Sequence, residues 1–173
     1  VDYYDDQTDN YLQFNNQLVI NHRFSSRWQL NATLFYTYGY GYYNQYKDDA
    51  WLAGYTNLDT TIEQADLIRH KKMLNHLGGV NAAAEYRTSR VDVTFGGSYS
   101  YYTSPYWGTL SWVDGMASDA VAGKWYDNNV VKWDGNLFAR ADWTLLRGLR
   151  DNELHLFGDL QYRYVGYRAW GVN

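Results

Sequence analysis

Apolar and polar residues alternate along the stretch from Trp28 to Tyr43, WQLNATLFYTYGYGYY. Apolar and aromatic residues take the even positions, and small or polar residues take most odd positions, with Phe35 and Tyr43 as exceptions. Because side chains of a strand point alternately to two faces, the pattern predicts one long β-strand. Soluble strands usually run about five or six residues. An alternation of about sixteen residues is typical of a transmembrane β-barrel wall, where one face meets lipid.

Five further stretches alternate in the same way. The predicted strands cover residues 11–24, 27–43, 67–87, 90–103, 130–144 and 153–167, and long loops cover 44–66 and 104–129. Short connections are predicted at Ser25-Ser26, Thr88-Ser89 and around Gly148 to Asn152. Outer-membrane barrels have short periplasmic turns and long extracellular loops. The chain is therefore predicted to be all-β, an antiparallel up-and-down segment of a transmembrane β-barrel with about six long strands.

Aromatic residues on the apolar positions predict two membrane-interface belts. Barrel walls carry aromatic residues at both interfaces of an apolar band about 25 Å tall. Eight residues of a tilted strand rise about 20 Å, which matches the spacing from Trp28 to Tyr36. The residues expected in these belts are Trp28, Tyr36, Tyr38, Tyr40, Tyr42, Tyr99, Tyr101, Trp133, Trp143, Tyr162 and Tyr164.

Composition narrows the class of protein further. Tyrosine makes up 19 of the 173 residues, and its apolar ring with a polar hydroxyl suits a membrane interface. No apolar run reaches the eighteen or so residues of a membrane helix. The net charge of −4 and the absence of a basic stripe argue against a nucleic-acid partner. There is no cysteine, and no charged-then-apolar start resembles a signal peptide.

The predicted strand count leaves the architecture open. Bacterial single-chain barrels have at least about eight strands. Three explanations remain: the chain is part of a larger barrel, several chains build one barrel, or two further strands lie in the long loops. Both ends of the sequence have the texture of extracellular loop, so we expect a segment cut from a larger chain.

The sequence offers no catalytic, cofactor or metal motif, and we do not expect an enzyme. It lacks G-x-S-x-G, H-E-x-x-H and a phosphate-binding glycine loop. The aspartates at positions 2, 5, 6 and 9 lack the glycine-bearing spacing of a calcium loop, so a solvated loop is expected there. The four histidines, His22, His70, His76 and His155, are scattered.

Two sets of residues are candidates for ligand contact. The long-loop aromatics Trp107, Trp112, Trp125 and Tyr126 form a stacking platform for a sugar or an aromatic chelate, or they pack the loops on one another. The charged residues of the polar positions line a wet lumen, and some of them line a substrate path in the alternative interpretation. This second set is Arg23, Glu85, Lys132, Asp134, Arg140, Asp142, Glu153, Asp159 and Arg163.

Four stretches give the chain a family resemblance. They are DLIRHKKMLNHLGGVNAAAEYR from Asp66, VDVTFGGSYSYY from Val91, KWDGNLFARADW from Lys132 and the closing LHLFGDLQYRYVGYRAWGVN from Leu154. Together they resemble the barrel part of TonB-dependent outer-membrane receptors, especially those of the Bacteroidetes type. The likeness rests on strand texture and covers nearly the whole chain.

The resemblance implies a bacterial outer-membrane barrel of about twenty-two strands. Such a receptor is plugged by an N-terminal domain and imports a scarce iron chelate, cobalamin or glycan with energy from the inner membrane. The implied partners are lipid, the remaining strands, the plug domain, an inner-membrane energy-coupling complex and a surface lipoprotein. The sequence departs from the family because it has no plug domain, energy-coupling box or closing strand that ends in an aromatic residue.

The expected function is therefore nutrient uptake, with this chain as part of the barrel wall, lumen and loops. The alternative is a small eight-stranded outer-membrane barrel with a structural or adhesive role. A secreted β-sandwich lectin is less compatible with strands of fourteen or more alternating residues.

Overall fold

The computed structural model describes residues 5–147 and 153–172. It consists of one antiparallel sheet with strands in the order β1-β2-β3-β4-β5-β6. The strands are β1 (Asp9–Arg23), β2 (Trp28–Trp51), β3 (Gln64–Arg87), β4 (Val91–Val113), β5 (Lys124–Arg147) and β6 (Glu153–Val172), and a short 3-10 helix covers Leu52–Gly54. The predicted all-β, up-and-down arrangement of six strands is confirmed. Within the described residues the sheet is not closed, since β1 and β6 pair on one side only.

Hydroxyl side chains shape two of the short turns. Ser25 Oγ accepts hydrogen bonds from the backbone N–H groups of Arg27 and Trp28, both at 3.2 Å. Thr88 Oγ1 does the same for Arg90 and Val91, at 3.3 and 2.9 Å. Such bonds replace the ladder bonds that the turning backbone cannot make. The predicted turn around Gly148 to Asn152 lies outside the described residues, as does Asp2.

Four strands extend well into the stretches predicted as loops. Of residues 44–66 and 104–129, only the segments 52–63 and 114–123 lie between strands. The register shifts between Lys47 and Ala50, and again between Gly108 and Thr109. A bulge adds one unpaired residue to a strand and thereby moves the following side chains to the other face. The alternation is interrupted at these points, so the sequence pattern ends before the strand does.

The register gives the sheet one apolar and one polar face. On the apolar face the neighbours of Leu34 are Leu18 and Val80, and Val80 in turn faces Tyr99. Large apolar side chains on this face are exposed, with Leu137 at 67% and Leu160 at 75%. On the polar face the same strands carry asparagine, serine, threonine and charged residues. This division follows directly from the alternation in the sequence.

The Gly78-Gly79 pair marks a close approach within a regular ladder. Pairing continues without a shift from Leu77 through Val80 on both sides of β3. A Cβ atom on Gly79 would clash with the ring of Phe35 and would lie 2.5 Å from the carbonyl oxygen of Tyr99. Phe35, one of the two exceptions in the alternation, therefore packs over a position that has no side chain. The glycine pair is therefore a point of close approach, and there is no bulge at this position.

A small hydrophobic core lies beyond the tyrosines of β2, on the polar face. It consists of Leu52, Tyr55, Leu67, Leu110, Val113 and Val121. Leu67 is 0% exposed and Val113 is 1% exposed. The two inter-strand segments cover these residues and are joined to each other, since Asn57 Nδ2 donates to the carbonyl oxygen of Val121 at 3.0 Å. The segments fold over the sheet and do not project freely from it.

No helix among residues 5–147 and 153–172 is long and apolar enough to cross a membrane.

Candidate ligand site on the polar face

A row of five residues crosses five strands, β1 to β5, just below the hydrophobic core. Successive backbone partners along this row are Asp9, Tyr43, Lys71, Gly108 and Tyr126. Directly opposed residues of neighbouring antiparallel strands point to the same face. The register therefore brings an acidic, a basic and two phenolic side chains together on the polar face.

The adjacent row contributes two further aromatic rings. Its partners are Tyr11, Gly41, Met73 and Tyr106. Residues of both rows line a pocket of about 280 Å³. We call it the Lys71 pocket and define it by Asp9, Tyr11, Tyr43, Lys71, Tyr106 and Tyr126. A pocket of this size is at the small end of ligand sites and has room for one ring-sized group.

The Lys71 ammonium group faces aromatic rings. Its Nζ lies 5.8 Å from the centroid of the Tyr43 ring, 5.4 Å from that of Trp125 and 5.9 Å from that of Tyr126. A cation over a ring face is attracted by roughly 0.5–2 kcal/mol, depending on exposure. Among the described residues, Lys71 forms no ion pair within 4.0 Å. Its charge is held in place without being neutralised by a carboxylate.

Glycines leave the space that the aromatic rings occupy. A Cβ atom on Gly41 would lie 2.7 Å from Cδ2 of Tyr11, so that ring lies against the bare backbone. A Cβ atom on Gly108 would clash with the rings of Trp125 and Tyr126. Glycine at these two positions allows the rings to lie flat on the sheet beside Lys71.

Asn75 orients Tyr11, one of the residues that line the pocket. Asn75 Nδ2 donates to the hydroxyl of Tyr11 at 3.3 Å, and Asn75 Oδ1 accepts from the hydroxyl of Tyr102 at 3.0 Å. Ser104 Oγ donates to the same oxygen at 2.6 Å. These bonds link β1, β3 and β4 through side chains alone, so Tyr11 is oriented although it stands on an edge strand.

The structure brings only two of the four predicted loop aromatics together at this site. Trp125 and Tyr126 lie 4.3 Å apart between ring centroids, and Trp125 also packs on Tyr55 at 4.8 Å. The register places Trp107 and Trp112 on the apolar face, opposite Lys72 and Ile68. Trp107 lies under the ammonium group of Lys124 at 5.2 Å. The four residues therefore do not form one platform.

Sequence reasoning missed the other members of the Lys71 pocket. Tyr43 was visible as an exception to the alternation, and the structure explains it as a polar-face aromatic beside Lys71. Tyr11 is a polar-position aromatic in the same sense. Aromatic residues on the polar positions of neighbouring strands were the available signal.

All eleven residues predicted for the aromatic belts have apolar-face positions in the register. Near the short turns, Trp28 packs on Tyr86 at 4.8 Å between ring centroids and edge-on to Phe95 at 6.3 Å. At the other level, the Tyr36 hydroxyl lies 2.7 Å from Nδ1 of His76. Tyr101 faces Trp133 across the β4–β5 ladder. The aromatic residues therefore form two levels on one face of the sheet.

Some of the charged residues predicted for a lumen lie close to residues of opposite charge on the polar face. Arg163 donates to Asp134 through two nitrogens, at 3.1 and 2.5 Å. Arg87 lies 3.0 Å from Glu85. Arg140 faces Asp159 in the register. The polar face is a mixed-charge surface in which positive and negative groups alternate.

Hydrogen bonds shift two pKa values at the β2–β3 bulge. The backbone N–H of Asp49, a bulge residue with φ 49°, donates to Asp66 Oδ1 at 2.9 Å, and the Tyr46 hydroxyl donates to Asp66 Oδ2. These donors lower the pKa of Asp66, and the bond to Asp66 raises the pKa of Tyr46 to about 12. Asp66 is thus held as the anion that closes the bulge.

Burial raises the pKa of Tyr126 in the Lys71 pocket to about 12. Its hydroxyl therefore stays protonated at neutral pH and remains a hydrogen-bond donor.

Within the part of the chain that the structure describes, no group of three or more histidine, aspartate or glutamate side chains is placed to hold a metal ion. Neither a scan against protein-family models nor a search of curated proteins finds a match to this chain.

Proposed function

We propose that this chain is part of the barrel wall of a TonB-dependent outer-membrane receptor that takes up a scarce nutrient. The proposal rests on one observation, which is the reversal of polarity along the sheet. Between the two aromatic levels, the large apolar side chains are exposed on one face and the other face is polar. Beyond the second level, apolar residues are buried on the opposite face.

Individual residues mark the reversal. On the apolar face, Leu34 and Tyr36 lie in the middle of β2. Nearer the loop end, the same face carries the charged residues Lys72 and Asp127. On the polar-face positions, Asn81 and Ser98 lie in the middle, and Leu67 is buried at the end. A bilayer around the middle of the sheet and water around its end account for both faces, because lipid favours apolar exposure and water opposes it.

The open sheet supports a place within a larger barrel. Backbone N–H and C=O groups of an unpaired edge must find partners in lipid, so a spanning sheet is closed by further strands. β1 and β6 are the edges that such strands would continue. The small eight-stranded barrel has less support. The strand residues found within 44–66 and 104–129 lengthen β2 to β5 and do not form two additional strands among the described residues.

In this proposal the polar face lines the lumen. A ligand arriving from outside meets the two folded inter-strand segments and then the Lys71 pocket. Further along the lumen it meets the ion pairs of the polar face, such as Arg163 with Asp134. Movement of a plug by an energy-coupling complex follows from the family resemblance.

Single cysteines test the orientation, because the 173 residues contain none. Leu34→Cys, Ser118→Cys and Ser26→Cys are made in the complete protein that contains this chain. Cells are treated with a membrane-impermeant maleimide before and after the outer membrane is permeabilised. We expect Ser118→Cys to react in intact cells and Ser26→Cys to react only after permeabilisation. Leu34→Cys should stay protected in both conditions because it faces lipid.

Thr33→Cys is the matched control, since residue 33 is adjacent to Leu34 and faces the polar side. We expect it to react with a small maleimide that enters the lumen. Equal labelling of positions 33 and 34, or reaction of Ser26→Cys in intact cells, would contradict the proposal.

A further inference from the structure

We propose that the Lys71 pocket binds a sugar acid, a pyranose ring that carries both a carboxylate and hydroxyl groups. This inference rests on the proposed function, because it names the class of ligand that the lumen mouth would capture. Its evidence is separate and comes from the chemistry of the pocket walls.

The pocket combines a charged donor with a charged acceptor that do not neutralise each other. Lys71 offers only hydrogen-bond donors and Asp9 offers only acceptors. Neither forms an ion pair within 4.0 Å with any described residue. Their strands are separated by β2, so their backbones stand about 10 Å apart at the usual strand spacing. One ring with substituents on two sides can span this distance.

Each charge selects a different substituent. The Lys71 ammonium group favours an anion. A hydrogen bond between two charged groups contributes more to the binding free energy than a hydrogen bond between neutral groups. Asp9 repels a plain anion and favours a hydroxyl that donates to it. A ligand that carries both a carboxylate and hydroxyls satisfies both residues, whereas a simple carboxylate or a neutral sugar satisfies one.

The aromatic side chains supply the remaining walls. Tyr43 and Tyr126 flank Lys71, and Tyr11 and Tyr106 lie in the adjacent row. Their rings offer flat apolar surfaces and their hydroxyls offer hydrogen bonds, a combination suited to a ring with one apolar face. The hydroxyl of Tyr126 is protonated at neutral pH, as a tyrosine hydroxyl ordinarily is, so it adds no second anion to the pocket. The volume of about 280 Å³ fits one ring, so we expect a terminal residue of the ligand to enter.

The test compares D-galacturonate with D-galactose, two sugars of the same ring that differ in the carboxylate. Binding of each to the complete protein in detergent micelles is measured by isothermal titration calorimetry. We expect galacturonate to bind at least about tenfold more tightly at low salt, and added sodium chloride to reduce this preference.

Substitutions at the two charged residues should change the preference in opposite directions. Lys71→Met should lower galacturonate affinity about tenfold to a hundredfold and leave galactose affinity nearly unchanged. Lys71→Arg should retain the preference within about threefold, because it keeps the charge. Asp9→Asn should weaken galactose more than galacturonate, since it removes an acceptor and a repelling charge together.

Lys124→Met is the matched control, because Lys124 lies over Trp107 and pairs with Asp127 away from the pocket. It should bind both sugars as the unchanged protein does. The inference is overturned if galacturonate binds no better than galactose, or if Lys71→Met and Lys124→Met have equal effects.

The two proposals can fail separately. Equilibrium binding in micelles requires neither transport nor a particular orientation in cells. If cysteine labelling supports a membrane wall and galacturonate shows no preference, only the ligand class is wrong. If the preference depends on Lys71 and the labelling pattern contradicts the orientation, the pocket stands and the receptor proposal fails.

Discussion

The middle of the sheet and its loop end carry their large apolar side chains on opposite faces of the same strands. In the middle, between the levels of Trp28 and Tyr42, large apolar side chains are exposed on one face. At the loop end the apolar residues of β3 and β4 point to the other face, where the inter-strand segments cover Leu67 and Val113 almost completely. The ladders of backbone pairs run through both regions, interrupted by bulges and by an unpaired step at Leu74 and Asn75 of β3, opposite Ser104 and Pro105.

The difference shows that strands of one sheet can carry their apolar side chains on one face in the middle and on the other face at the loop end. The loop end has a small hydrophobic core of its own. The middle has no comparable core among the described residues, and its large apolar side chains are exposed. Substitutions of the same kind should therefore have different effects in the two regions.

The largest effect is expected for truncation in the loop-end core. Leu67→Ala removes a side chain that is 0% exposed and should cost about 2–5 kcal/mol of local unfolding free energy. Hydrogen exchange at the amide of Tyr55, which donates to the carbonyl oxygen of Leu52 at 2.9 Å, reports on this region. Leu137→Ala, at a side chain that is 67% exposed, is the control and should change exchange there by less than about 0.5 kcal/mol. Equal effects would remove the contrast between the regions.

A charge on the middle apolar face should have the next largest effect. In the proposed barrel wall, Leu34→Lys should lower the free energy of unfolding from lipid vesicles by about 2–4 kcal/mol, because the new charge would face the bilayer interior. The measurement is urea-induced unfolding of the complete protein in vesicles. Thr33→Lys places the same charge one residue away on the polar face and should cost less than about 1 kcal/mol. A larger loss of stability for Thr33→Lys than for Leu34→Lys would show that lipid does not contact the face of Leu34.

A smaller effect is expected where a ring lies on a glycine between the two regions. Gly41→Ala forces the Tyr11 ring away from the backbone and should break its bond to Asn75, at a cost of about 1 kcal/mol. Galacturonate affinity should fall with it. Gly158→Ala is the control, because a Cβ atom there meets nothing within 4 Å. Unchanged binding in Gly41→Ala would show that Tyr11 is not part of the pocket.

The smallest effect concerns pH at the loop end. The folded-state pKa of Asp66 lies below its ordinary value of 3.8, because Asp49 and Tyr46 donate hydrogen bonds to the carboxylate. Its contribution to stability is therefore present above about pH 3.8 and is lost as the pH falls through the lowered pKa. Hydrogen exchange at the Asp49 amide, corrected for the intrinsic rate, should accelerate below this pH. Asp66→Asn should lack the transition.

The alternation in the sequence was sufficient for the strand order, the two faces and the short turns at Ser25 and Thr88. It failed where bulges occur. Trp125 is the extra residue opposite the Gly108–Thr109 step, so its parity no longer tells which face it occupies. The same holds at Asp49, which has a positive φ. The strand continues through this residue, although the sequence pattern there predicted a loop. Beyond a bulge, the alternation of apolar and polar residues no longer predicts which face a side chain occupies.

The Lys71 pocket lay beyond the reach of sequence reasoning for a different reason. Its rows join Asp9, Tyr43, Lys71 and Tyr126, which are far apart in the chain and meet only through the register of four strand pairs. A slip of one residue in any ladder would place one of them on the other face. The predicted platform contained Trp125 and Tyr126 but not Lys71, because Lys71 lies in the predicted strand 67–87 and the platform was predicted in the loop 104–129.

The bonds that hold the two inter-strand segments together have one further consequence. Thr56 Oγ1 donates to the carbonyl oxygen of Trp125 at 2.6 Å, and Asn57 Nδ2 donates to those of Val121 and Ala122 at 3.0 and 3.3 Å. All three acceptors are main-chain atoms, which every amino acid supplies. The exposed side chains of segment 114–123 can therefore vary without loss of the hydrogen bonds that hold the two inter-strand segments to each other and to β5.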